Sequence, residues 1–240
     1  MKIDVCIQSY NFNRRLCWML SSILQQKERK PGKGLPDIRV CVSYESSTDT
    51  GSVCDFFRNA GLNVYGRAYE GFELFKKRGN VRNMDLDTDA EWILWADSDM
   101  VYPPEFFGTL GHLLRTSFID NPHCLYSARQ STILEPTRAL IDLYEYPCIV
   151  HGAFEQASIL ESVLKANIGA GYCQIANVKN IKMNHGGKYV EVATDWDWDE
   201  EGQKAKSDQH FRHRLGKERI HLPVQIHLQH ERTNPHERSC

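Results

Sequence analysis

The sequence predicts a single α/β domain with a mostly parallel sheet flanked by helices. Three observations lead there. Strand-like apolar runs alternate with helix-period segments through the first 130 residues, the order that builds parallel sheets. The run at 91–96, "EWILWA", is almost continuously apolar, as a strand covered on both faces must be. No stretch of the 240 residues reads as a linker between independent units.

In chain order, a strand at 3–10 ("IDVCIQSY") leads into a helix at 13–26, with Leu16, Leu20, Ile23 and Leu24 on one face. A charged loop with proline and glycine, 27–36, precedes a second strand at 37–44. The helix expected at 47–61 carries Val53, Phe56, Phe57 and Ala60 in register, a cap at Ser47 or Asp49, and Gly61 at its end. A short strand follows at 62–66, then a helix at 79–90 and the buried strand at 91–96. The helix at 103–117 starts on prolines and turns Phe106, Phe107, Leu110 and Leu114 inward, and a strand is expected at 123–129. Beyond residue 130 the pattern loosens: helices at 135–146 and 154–167, a strand within 169–178, a polar stretch at 195–216 ending in a short helix, and a last strand at 219–230.

A formal net charge of −2 argues against a chain that binds nucleic acid by bulk electrostatics. There is no 18-residue apolar run and no signal-peptide pattern at the start, so a soluble cytoplasmic protein is expected. The eight cysteines, at 6, 17, 41, 54, 124, 148, 173 and 240, form no CxxC pair. Several fall inside strand-like runs, where a free thiol packs as a small hydrophobe in a reducing compartment.

The chemistry concentrates at Asp97-Ser98-Asp99, directly after the buried run. In parallel α/β sheets ligands bind beyond the carboxyl ends of strands, which is where this triplet stands. Two carboxylates set two apart are hard oxygen ligands suited to Mg²⁺ or Mn²⁺. The plainer alternative is a turn or a helix cap. Seven of the ten histidines lie at or after 185, which supplies candidates for a further ligand. His227 and His230, three apart on a strand, face opposite sides, so only one of them reaches a common ion.

The motifs in order resemble the A-type glycosyltransferases, in particular the large inverting family 2 group. Ser9-Tyr10-Asn11 resembles the family's Thr-Tyr-Asn-like end of the first strand. "YESSTD" resembles the end of its second strand, keeping Glu45 and Ser47-Thr48-Asp49 but placing Tyr44 where another acid usually stands. Val81-Arg82-Asn83 resembles the Ala-Arg-Asn segment, Asp97-Ser98-Asp99 the metal motif, "GAGYCQIAN" the glycine-rich acceptor strand, Ser207-Asp208 the Glu-Asp segment, and His230 the late histidine. The likeness runs through most of residues 3–232.

The resemblance implies a GT-A fold and a metal-dependent transfer of a hexose from a nucleoside-diphosphate sugar, with UDP expected, to a hydroxyl acceptor with inversion. Residues 1–130 would form the nucleotide-sugar-binding half and 131–240 the acceptor-binding and catalytic half of one domain. Mn²⁺ or Mg²⁺ would be held by Asp99 directly and by Asp97, with His230 favoured over His227 as a further ligand. Asp97 and Ser98 would also hold the donor, Ser9, Tyr10, Asn11 and Glu45 would line the base, and Arg82 would meet the diphosphate; an ion pair of Arg82 with Asp85 or Asp99 is its alternative. Asp208 would be the catalytic base, although Ser207-Asp208 also suits an ordinary helix start. The acceptor stays open among a glycan, a protein and a hydroxymethylated DNA base. Two rivals remain. A haloacid-dehalogenase-like phosphatase would use Asp97 as nucleophile and Asp99 as acid, but its motif normally ends the first strand of its domain. A non-catalytic sugar-nucleotide-binding module would need no Asp208.

Overall fold

The computed structural model describes residues 1–9, 12–28, 34–70, 88–116, 124–134, 147–153, 173–178 and 218–230. Among them are strands β1 (Lys2–Ser9), β2 (Asp37–Glu45), β3 (Val64–Tyr69), β4 (Trp92–Asp97), β5 (Met100–Val101), β6 (Cys124–Leu134), β7 (Cys173–Asn177) and β8 (Glu218–His230). The described helices are α1 (Asn13–Leu24), α2 (Thr50–Asn59) and α3 (Phe106–Thr116). The strands join one sheet of order β3-β2-β1-β4-β7-β6-β8-β5. Neighbours from β3 to β4 are all parallel. β7 then runs antiparallel between β4 and β6, β8 lies parallel to β6, and β5 pairs antiparallel with β8.

The parallel half follows from the alternation in the sequence, since α1 and α2 are the crossovers from β1 to β2 and from β2 to β3. Ile3, Val5 and Ile7 of β1 stand opposite Trp92, Leu94 and Ala96 of β4. They share one core with Leu16, Met19 and Leu20 of α1, Val53 and Phe57 of α2, and Phe106, Phe107, Leu110 and Leu114 of α3. On the other face Cys6, Ile93 and Trp95 are buried too, so β1 and β4 are covered on both sides. The described cysteines 6, 17, 41, 54, 148 and 173 are free thiols, and burial pushes those of Cys17, Cys54 and Cys173 up to about 12, which keeps them protonated and unreactive.

α2 ends as its sequence predicts. Gly61 has φ +99°, its N–H bonds to Arg58 O at 3.0 Å, and Leu62 N–H bonds to Phe57 O at 3.0 Å. This double closure, with Leu62 and Phe57 in the same core, is a Schellman motif. Gly61→Ala is expected to cost about 1 kcal/mol, because a Cβ is disfavoured at positive φ. The shift of the urea midpoint measures it.

The differences from the sequence expectation have local causes. Asp49 occupies the N-cap of α2, but its side chain makes no cap bond. Ala60 is exposed, and Cys54 fills the inward position instead. Thr88, Asp89 and Ala90 are not helical: the Thr88 hydroxyl binds Asp4 and accepts the Ala90 N–H at 3.0 Å, a side-chain turn that competes with helix. The helix expected from 103 starts at Phe106, after a turn at Pro104 and Glu105. The strand expected to stop at 129 runs on to Leu134, because β8 pairs with it throughout. Pro223 falls where the β6–β8 register shifts, a place in a ladder that tolerates a residue without an N–H. The expected helices at 135–146 and 154–167 and the polar stretch at 195–216 lie outside the described residues. Among those described, no helix is long and apolar enough to cross a membrane.

Candidate functional site

Because β1, β2, β3 and β4 are parallel, their carboxyl ends open on one edge. The register brings Ser9 opposite Tyr44, Gln8 opposite Asp97, and Glu45 opposite Tyr69. Asp97 ends β4, Ser98 and Asp99 make the turn, and Met100 starts β5. Ser98 is buried, while Asp97 and Asp99 are half-buried.

The turn is fixed from below by α1. Ser22 Oγ accepts the Tyr102 N–H at 3.1 Å and donates to Met19 O at 2.7 Å. Gln26 Oε1 accepts the Phe107 N–H at 2.9 Å, serving an otherwise open donor at the start of α3, and its amide donates to Pro103 O at 2.9 Å. The Tyr102 ring packs against Phe106 and Phe107. Burial first, then Cys173 and Asp97, pushes its phenol well above the usual range, so it stays neutral beside Asp97.

Glu45 is buried, and its Oε2 accepts the N–H of Ser47 at 3.1 Å and the Ser47 hydroxyl. It is therefore not a surface acid; it closes the turn leaving β2. Thr48, Thr50 and Asn13 continue the chain of bonds, with Thr50 Oγ1 to Asn13 Oδ1 at 2.6 Å, and tie that turn to the start of α1. Tyr44 lies in a slot made by two glycines. A Cβ on Gly51 would stand 2.7 Å from the Tyr44 hydroxyl, and one on Gly66 2.9 Å from Tyr44 Cε1. Burial, followed by Cys54 and Asp55, raises the Tyr44 phenol, so this side chain packs as a neutral ring where a carboxylate was the family expectation.

Two features escape a linear reading. One is a polar row across the parallel strands: Arg67, Ser43, Gln8 and Asp97 occupy successive register positions on β3, β2, β1 and β4 and so share one face. The other is Arg15 on α1, only 3% exposed, whose Nη1 lies 3.7 Å from Asp99 Oδ2. Its signal in the sequence is weak: a basic residue one position before the apolar face of α1.

Of the other expected residues, Ser9 is fully buried at the end of β1, and its hydroxyl has no hydrogen-bond partner among the described residues. Tyr10, Asn11, Arg82 and Asp208 lie outside the described residues. The β8 backbone places His227 beside Val101 and pairs His230 with Leu134 of β6. The side chains of both histidines are outside what the structure describes. Among the described residues no three His, Cys, Asp or Glu side chains converge. The pair Asp97 and Asp99 still suits Mg²⁺ or Mn²⁺, which one or two carboxylates hold together with substrate phosphates and water.

No protein-family model matches the chain, and no curated protein does. Solved structures do. TarS of S. aureus, residues 1–349 in complex with UDP-GlcNAc, superposes with a TM-score of 0.61 at 17% identity, covering 100% of this chain and 61% of that one. Its complex with UDP gives a TM-score of 0.59 at 15% identity over 96% and 61%. A longer S. aureus TarS structure gives 0.56 at 18% identity over 96% of this chain and 37% of that one. The chain thus spans about three-fifths of the 1–349 structures it matches. At this identity the likeness establishes architecture: the chain has the GT-A, nucleotide-diphospho-sugar transferase type of α/β fold.

Proposed function

We propose that the chain is a nucleotide-sugar glycosyltransferase: it takes a hexose from a nucleoside-diphosphate sugar, with UDP as the nucleotide, and passes it with inversion to a hydroxyl acceptor, using Mn²⁺ or Mg²⁺. The observation that carries this reading is the convergence of Ser9, Glu45 and Asp97-Ser98-Asp99 at the open edge of a GT-A-type sheet. The ligands in those TarS complexes, UDP-GlcNAc and UDP, favour a uridine donor.

In this reading the first 130 residues hold the donor and the rest shape the acceptor side and carry the base; the division falls inside β6 and is one of task rather than of sheet. Asp97 and Ser98 hold the ribose, and Ser9, Tyr10, Asn11 and the Glu45 turn line the base. Asp99 and Asp97 hold the divalent ion, helped by His230 or His227. Bound there, the ion would neutralise charge on the departing diphosphate. Arg82 meets the same diphosphate with a guanidinium fork. Asp208 takes the acceptor hydroxyl's proton from the face opposite the leaving group, which inverts the anomeric centre.

Thermal unfolding with UDP-, GDP- and TDP-sugars, each with Mn²⁺ or with EDTA, tests the reading. A donor at a hundred times its Kd stabilises by about 2.7 kcal/mol. For a chain of this size that is a Tm rise of roughly 5–10 °C. The rise is expected with a UDP-sugar plus Mn²⁺ and is expected to vanish in EDTA. No rise with any nucleotide sugar, together with metal-dependent release of phosphate from p-nitrophenyl phosphate, would replace this reading with the phosphatase.

A further inference from the structure

We propose that Arg15 is the built-in counter-charge of the cation site: without a divalent ion it neutralises Asp99, and ion and guanidinium compete for that carboxylate. The inference rests on the reading above that Asp99 serves a divalent cation.

Arg15 enters from the first turn of α1 and is only 3% exposed. A guanidinium is always charged, so one buried this deeply needs an opposite charge nearby. Asp99, with a side chain 17% exposed, supplies it. Arg15 Nη1 approaches Asp99 Oδ2 to 3.7 Å. The same chain shows what a closed pair looks like: Arg39 grips Asp4 with two bonds, Nε to Oδ1 at 2.9 Å and Nη2 to Oδ2 at 2.5 Å. Short two-pronged geometry is the strong form of this interaction. The Arg15–Asp99 approach is longer than either of those bonds, so an ion arriving at Asp99 displaces a weaker attraction than it would at Asp4. The guanidinium also stands 5.5 Å from the Phe12 ring centre, a favourable contact that survives release of Asp99.

A metal ion and Arg15 drawing on one carboxylate oppose each other, and the opposition is reciprocal. The pair then keeps two acids from facing each other bare in the ion-free protein, at the expense of weaker ion binding.

The test uses the full chain and Mn²⁺, titrated by calorimetry first alone and then with UDP present, with stability read separately by urea in EDTA. Arg15→Gln is expected to bind Mn²⁺ about tenfold more tightly than wild type, within the usual range of site-to-site coupling. Arg15→Lys, which keeps the charge, should stay within about twofold of wild type on the same coupling argument. In EDTA, Arg15→Gln should be less stable than wild type, and adding Asp99→Asn to it should recover stability, a double-mutant signature of direct pairing. If Arg15→Gln folds only with metal, refolding on addition of Mn²⁺ supports the proposal, and failure to refold overturns it. An Arg15→Gln chain that folds but binds Mn²⁺ no more tightly than wild type overturns the competition while leaving the cation site standing. A wild-type chain that binds no Mn²⁺ either alone or with UDP present overturns the cation site itself, and the competition with it.

Discussion

Asp99→Asn is expected to abolish Mn²⁺-dependent donor binding and to lower sugar transfer by about 10²- to 10³-fold or more, the scale of losing one preorganised charge-stabilising group. Asparagine keeps the shape of the turn between β4 and β5 and removes only the charge. The turn itself is held by bonds that do not involve this side chain, from Ser22 to Tyr102 and from Gln26 to Phe107. The loss should therefore appear as chemistry rather than as unfolding. One structural cost is expected: Arg15, 3.7 Å away and buried, loses an anionic partner. Transfer measured with a UDP-sugar, alongside a urea curve, separates the two effects. Asp97→Asn should likewise show the loss of donor binding. Full transfer in a folded Asp99→Asn chain would remove the cation from the reaction.

The sequence made the fold legible where one period dominated and the partners were close along the chain. Ile3, Val5 and Ile7 alternate, Phe106, Phe107, Leu110 and Leu114 follow the helical period, and all seven are buried. The carboxyl-edge position of Asp97 followed from the strand before it, and the structure agrees. What stayed hidden needed contacts between distant segments. Two residues of β5 cannot show a period, and only the β8 partner makes them a strand. Arg15 looked like part of the polar face of α1, because nothing local says that Asp99 lies beside it. Tyr44 marks the limit of a motif comparison. Its position matched a family acid, yet Gly51 and Gly66 leave room there for a ring, and their small size becomes informative only once both are seen against the same side chain.

At the other end of the same strands, Arg39→Met is expected to destabilise the chain by about 3–5 kcal/mol, the cost of stranding one partner of a buried ion pair. Asp4 is 2% exposed and takes two bonds from Arg39 and one from Thr88. Arg39 Nη2 also donates to Thr88 Oγ1 at 2.7 Å, and the Asp4 carboxylate holds its guanidinium still further above its ordinary value. Asp89, 3.4 Å from Arg39 and 2.7 Å from Lys2, continues the cluster to the surface. That outer pair is exposed and contributes little. Thr88 makes the cluster more than a surface ornament. It lies just ahead of β4, so the network fixes where the strand carrying Asp97 begins relative to β1. A loss of 3–5 kcal/mol is a large share of the roughly 5–15 kcal/mol that holds a domain together. Arg39→Met should therefore unfold at much lower urea. Arg39→Met combined with Asp4→Leu, which replaces both charges with apolar groups, should regain most of the loss, as buried pairs commonly do when exchanged whole. If the double variant is no more stable than Arg39→Met, the network acts through Thr88 and the placement of β4 rather than through the charge of Asp4.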